Sequence, residues 1–124
     1  MKLLTPELQQ RFDEVGDQAE KPDPLVIAKF FDPVGSAIWY ATRYNPDNNQ
    51  CYGYITVKGY NDWGYFSMKA LQNIKRPLAM SIKRDLSFRE KPMSEAVPAL
   101  KPQIRETQLQ RARKETEKEH EPER

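Results

Sequence analysis

The sequence predicts an α+β domain: a small antiparallel β-sheet with an N-terminal helix and a short internal helix packed on one face. Two observations carry this. Residues 37–57 hold two β-branched and aromatic runs, "AIWYATRYN" and "CYGYITV", around the turn-forming "NPDNNQ". Helix-start signals, "TPEL" and "SMKA", stand before and after them. With 124 residues there is room for one core, and we place a single domain over 1–98 and a charged tail over 99–124.

In the first helix Thr5 can cap, Pro6 suits the first helical position, and Gly16 can end it. Leu8, Phe12 and Val15 recur at helical spacing and should face the core. "DQAEKPDP" reads as a polar connector, and "LVIAKFF" (25–31) as a strand followed by the turn "DPVGS". In the hairpin, Pro46 pre-sets one turn dihedral and Asn48 or Asn49 can tolerate positive φ, so a loop of about four to six residues is expected. Strict alternation puts Trp39 with Ala37 and Ala41 on one face, and Tyr40 with Ile38 and Tyr44 on the other. On the next strand Cys51, Gly53, Ile55 and Val57 share a small aliphatic face, and Tyr52 and Tyr54 point to the opposite one.

"GYF" (64–66) reads as a short strand, with Phe66 in the core, Tyr65 outward and Trp63 at the strand edge, where Asp62 and Gly64 shape a turn. Ser67 can cap a helix from 68 to about 75 with Leu71 and Ile74 inward, and Pro77 stops it. "SIKRDLSFRE" is read as a last strand, and "KPMSEAVPAL" as proline-broken with one helical turn. The tail has helix formers but no apolar stripe, since Ile104 and Leu109 are five apart. Its pairs Arg111–Glu115 and Arg113–Glu117 can add only about 0.2–0.5 kcal/mol each, so a frayed helix or disorder is expected.

Scarcity limits the chemistry. The single histidine, His120, lies in the charged tail, and the single cysteine, Cys51, reads as a small buried hydrophobe. A nucleophile–histidine pair and a Cys/His zinc site therefore lack their parts. The five glycines are scattered singly, so no phosphate-binding loop or dinucleotide fingerprint occurs. Asp32, Asp62, Asp85 and Glu90 could in principle gather around Mg²⁺, but their neighbours suggest surface ion pairs. No catalytic residue, metal or cofactor is assigned.

Charge is uneven under a net +2: residues 1–34 sum to −3 and residues 69–91 to +5. With five Phe, six Tyr and two Trp, exposed aromatics become the second candidate feature. The candidate binding surface is Tyr52, Tyr54, Trp63, Tyr65, Lys83, Arg84 and Arg89: aromatics as anchors, cations for phosphates or an acidic protein surface. The absence of a bilayer-length apolar run, of a signal-peptide pattern and of paired cysteines fits a cytoplasmic protein.

"MKLLTPEL", "KFFDPVGSAIWYATRYN", "YGY", "GYFSMKAL", "IKRDLSF" and "KPMSE" resemble, in order and spacing, a prokaryotic family catalogued as domain of unknown function 2958. The resemblance covers about residues 1–95, and Met68 and Lys83 depart from the family's usual leucine and acidic residue. It implies an accessory protein of the kind carried by plasmids, phages and integrative elements, and brings no catalytic residue with it. The expected function is a non-enzymatic interaction protein that binds a protein or protein–nucleic-acid partner. Direct nucleic-acid binding and a small carboxylate/Mg-dependent hydrolase are the alternatives.

Overall fold

A computed structural model of the chain describes residues 1–119; His120, read above as a solvated tail residue, lies outside the described residues. The first helix, α1 (Pro6–Val15), forms with the expected punctuation: Thr5 accepts a hydrogen bond from the Leu8 N–H, and Gly16 leaves the helix at φ +76°. Five antiparallel strands follow in the spatial order β5-β4-β3-β2-β6: β2 (Ala28–Phe31), β3 (Ile38–Asn45), β4 (Gln50–Val57), β5 (Tyr60–Ser67) and β6 (Lys83–Arg84). A second, two-stranded ladder pairs β1 (Leu25–Val26) with β7 (Lys91–Pro92). The short helices α2 (Met68–Asn73) and α3 (Met93–Ala96) precede a long C-terminal helix, α4 (Lys101–Glu119). The α+β expectation holds.

The sheet separates two apolar layers. On one side α1 and α2 bury Leu8, Phe12, Met68 and Leu71 against Phe30, Ala41, Cys51 and Phe66. On the other, Val26, Tyr40 and Tyr54 meet Met93, Leu100 and Ile104. Ile104 is 4% exposed, so the charged tail does have something to bury. Its partner on the helix face is Leu100, four residues earlier, rather than Leu109; a fully buried aliphatic side chain stabilises by about 1.5–3 kcal/mol. From Gln108 to Lys118 the helix is exposed, and neither Arg111–Glu115 nor Arg113–Glu117 closes to an ion pair.

Several local expectations hold for the stated reasons. The β3–β4 loop is residues 46–49, with Asn49 at φ +57°. Ser67 caps α2 by accepting from the Ala70 N–H. Others are corrected. The run 25–31 breaks at Ile27 and contributes to both ladders. Helix α2 ends at Asn73, which leaves Ile74 exposed rather than inward. Asp62 and Gly64 lie within β5, because the turn is the two-residue loop 58–59 with Gly59 at φ +81°.

The predicted last strand shrinks to Lys83–Arg84. Asp85 accepts from both the Ser87 N–H and its hydroxyl, and the Phe88 N–H bonds the Asp85 carbonyl. These local bonds turn the chain away and compete with the ladder.

Candidate functional site

The site begins with a fault in alternation. Between β3 and β4, Ala41 pairs with Gly53, but Tyr52 pairs with Arg43, so Thr42 is an extra residue in a β-bulge. Past the bulge every side chain on β3 changes face. Tyr44 turns toward α1 and meets Phe12 at 6.0 Å between ring centroids, instead of joining Tyr40. Arg43 turns to the opposite face, among the tyrosines.

The bulge is held from a distance in sequence by Gln18, from the segment read as a connector. Gln18 is 3% exposed, and its amide group donates to the Thr42 carbonyl (2.6 Å) and the Leu25 carbonyl (2.9 Å). Its oxygen accepts from the Leu25 N–H at 2.7 Å. The Thr42 hydroxyl donates to the Tyr52 carbonyl at 3.1 Å. Opposite the bulge the strands come close: a Cβ on Gly53 would lie 1.7 Å from the Tyr40 carbonyl oxygen, so only glycine fits.

Arg43 is the centre of the resulting surface. Its guanidinium lies over Tyr52 (4.5 Å to the ring centroid) and over Tyr65 (5.7 Å). It donates to the Tyr65 hydroxyl at 3.3 Å and forms an ion pair with Asp17 at 3.1 Å. Tyr52 meets Tyr65 edge-on at 4.8 Å and lies nearly parallel to Trp63 at 6.3 Å. The Trp63 indole N–H reaches the side-chain oxygen of Gln103 on α4 at 3.3 Å.

Of the sequence candidates, Tyr52, Trp63 and Tyr65 thus come together, and Tyr65 is 62% exposed. Tyr54 does not join the open surface: it is 9% exposed, packed edge-on against Trp63 at 5.4 Å beneath the start of α4. Lys83 and Arg84 stand on β6, at the far edge of the sheet from β5, and the exposed Arg89 follows them. Four strand spacings, ~19 Å, separate the two edges, so the six candidates other than Tyr54 form two surfaces rather than one. Arg43, Gln18 and Gln103 were missed. The short hairpin could have signalled the aromatic cluster, but nothing local marks Thr42 as a bulge.

The profile of a family described as a protein of unknown function (DUF2958) matches residues 3–120. The chain belongs to this family. The family match reaches past the 1–95 span of the recognised motifs and takes in α4, whose first turn closes the second core. None of the curated proteins and none of the solved structures compared with the chain matches it.

The remaining chemistry-bearing groups sit apart. Asp32 pairs with Arg76 (2.8 Å), Asp85 with Lys29 (3.7 Å) and Glu90 with Arg11 (2.8 Å), while Asp62 accepts from the Trp63 N–H (2.8 Å). The Ser87 hydroxyl, more than the Lys29 charge, holds the Asp85 carboxyl below its ordinary pKa. Among the described residues no three His, Cys, Asp or Glu side chains gather as metal ligands. Cys51 is fully buried, and burial pushes its thiol up to about 12, so it packs rather than reacts.

Proposed function

We propose that the protein is a non-catalytic binding module that docks a protein partner, alone or within a nucleic-acid-handling assembly, through Arg43, Tyr52, Trp63 and Tyr65. One observation carries the reading. Helix α4 roofs only part of the second sheet face, and the part left open is paved by stacked aromatics around an arginine that a bulge has re-aimed there. Tyr, Trp and Arg are the side chains that most often dominate binding energy at protein interfaces, and here they are already ordered by one another. The accessory role in mobile elements, implied by the family resemblance, belongs to the same reading.

The test is recovery of a tagged copy from its native host, with and without nuclease, alongside Tyr65→Ala and Arg43→Ala. A partner that survives nuclease and is lost from both variants supports the proposal; truncating such an anchor typically weakens binding by ~2 kcal/mol, about 30-fold. A partner retained by both variants removes it. The opposite edge favours a second reading, direct nucleic-acid binding, because Lys83, Arg84 and Arg89 lie in the segment of net charge +5. Binding to plain DNA or RNA that weakens steeply with salt, and that fails in a Lys83→Gln, Arg84→Gln double variant, would establish it. The four carboxylates weighed for a hydrolase each meet a different partner, and no arrangement favours that alternative.

A further inference from the structure

Beside Arg43 a cleft of about 250 Å³ opens between α4 and the segment that precedes β1. Its walls include Lys21, Arg43, Gln103 and Thr107, over a floor of Tyr52 and Trp63, and no acidic residue lines it. We infer that this cleft receives a single carboxylate side chain, Glu or Asp, from the docked protein partner. The inference rests on the reading of this surface as a docking site.

The donor census argues for an anion. Gln18 is saturated by backbone groups and has nothing to offer. Gln103 has its oxygen occupied by the Trp63 indole, which leaves its amide N–H groups as donors. Lys21 takes part in none of the ion pairs among the described residues. Arg43 is held by Asp17 and Tyr65 from outside the cleft, through one N–H to each, and keeps further N–H groups. The cleft is therefore lined by donors and short of acceptors, and two of the donors are cationic.

Size and shape favour a carboxylate side chain over a nucleotide. The cleft falls below the ~300–1,000 Å³ of pockets that take drug-sized ligands, and a phosphodiester would have to bring its sugar and base along. A carboxylate is planar and matches a guanidinium fork, while its methylene groups can lie on the Tyr52 and Trp63 rings. Lys21 and Arg43, with no acidic side chain beside them in the lining, make the cleft itself complementary to an anionic group.

The test follows the Trp63 indole N–H signal in a two-dimensional NMR spectrum, with Trp39, packed against the other core, as internal control. The probes are hexaglutamate, hexalysine, inorganic phosphate and a short thymidine oligonucleotide. Hexaglutamate should move the Trp63 signal and leave Trp39 in place. Lys21 is exposed, so Lys21→Gln should keep the native spectrum yet weaken hexaglutamate at least about fivefold, with Lys21→Arg restoring binding. No movement, movement only with the oligonucleotide or phosphate, or an unchanged affinity in Lys21→Gln each overturns the inference. If the titration fails while Tyr65→Ala still loses the captured partner, only the carboxylate pocket falls; if Tyr65→Ala keeps the partner, the docking surface itself falls.

Discussion

Replacing Gln18 by alanine tests the link between fold and site most directly. The amide makes three hydrogen bonds of 2.6, 2.7 and 2.9 Å, and all end on backbone groups that strand pairing does not serve. Thr42, at the bulge, is 1% exposed, so its carbonyl has no route to water; Leu25 is half-buried. A buried polar group left without a partner costs about 1–3 kcal/mol, and the two Leu25 groups recover part of theirs from solvent. The sum is a loss of ~2–5 kcal/mol in Gln18→Ala. With an m-value of roughly 1–3 kcal/mol/M in urea, the unfolding midpoint should fall by about 1 M or more, followed by tryptophan fluorescence. A variant that loses less than about 1 kcal/mol would show that Gln18 does not hold the bulge. Gln18→Glu adds a sign. Its carboxylate would face two carbonyl oxygens, so the fold would favour the protonated form and raise the pKa above the unfolded value. Relative to Gln18→Ala, its stability should then be greatest in acid and fall as pH rises through the folded pKa.

Two further outcomes are expected from the cores. Ile104→Ala should lose ~2–5 kcal/mol in urea unfolding whereas Leu109→Ala, 43% exposed on the same helix, should stay within about 0.5 kcal/mol; equal effects would refute the packing of α4 described here. A thiol reagent at pH 8 should label Cys51 slower by several powers of ten than in denaturant, since its thiol is buried and pushed up to about 12. Because that folded value lies above the unfolded one, stability should fall as pH rises past the unfolded thiol pKa, a fall that Cys51→Ala removes.

What could be read in the letters was mostly local. Thr5, Gly16 and Ser67 act through bonds within a few residues of themselves, and Asn49 through its own backbone conformation, so their capping and turn roles were legible. The aliphatic and tyrosine faces of β4 were legible too, because no bulge interrupts its pairing with β5. The register of β3 was not: "WYATRYN" alternates as well with a bulge as without one, and Gln18, which stabilises it, lies 24 residues away from Thr42. Nor was the second core. Pro102 stands between Leu100 and Ile104 in the sequence, although the two share a face once the chain coils. The split of the candidate surface has the same origin. That Lys83 and Arg84 pair with Phe31 and Phe30, far from β5, is a non-local choice that short-range patterns do not encode.

The proposed docking through a face, rather than through the free edge of β5, is supported by how that edge is finished. Eight residues of outer strand would ordinarily invite a second strand to add. The Asp62 carboxylate instead accepts from the Trp63 N–H at 2.8 Å, an N–H that points outward because the two-residue turn makes Tyr60 and Asp62 the residues bonded to β4. A strand added there would have to displace a charged acceptor in the middle of its ladder. The aromatic face carries no such guard: Tyr65 is open, and Arg43 and Tyr52 are held beside it by contacts within the chain. Lone edge pairing and face docking therefore respond in opposite directions to Asp62→Ala. Removing the carboxylate frees the edge for self-association, while a partner bound through Tyr65, as proposed, should bind as before.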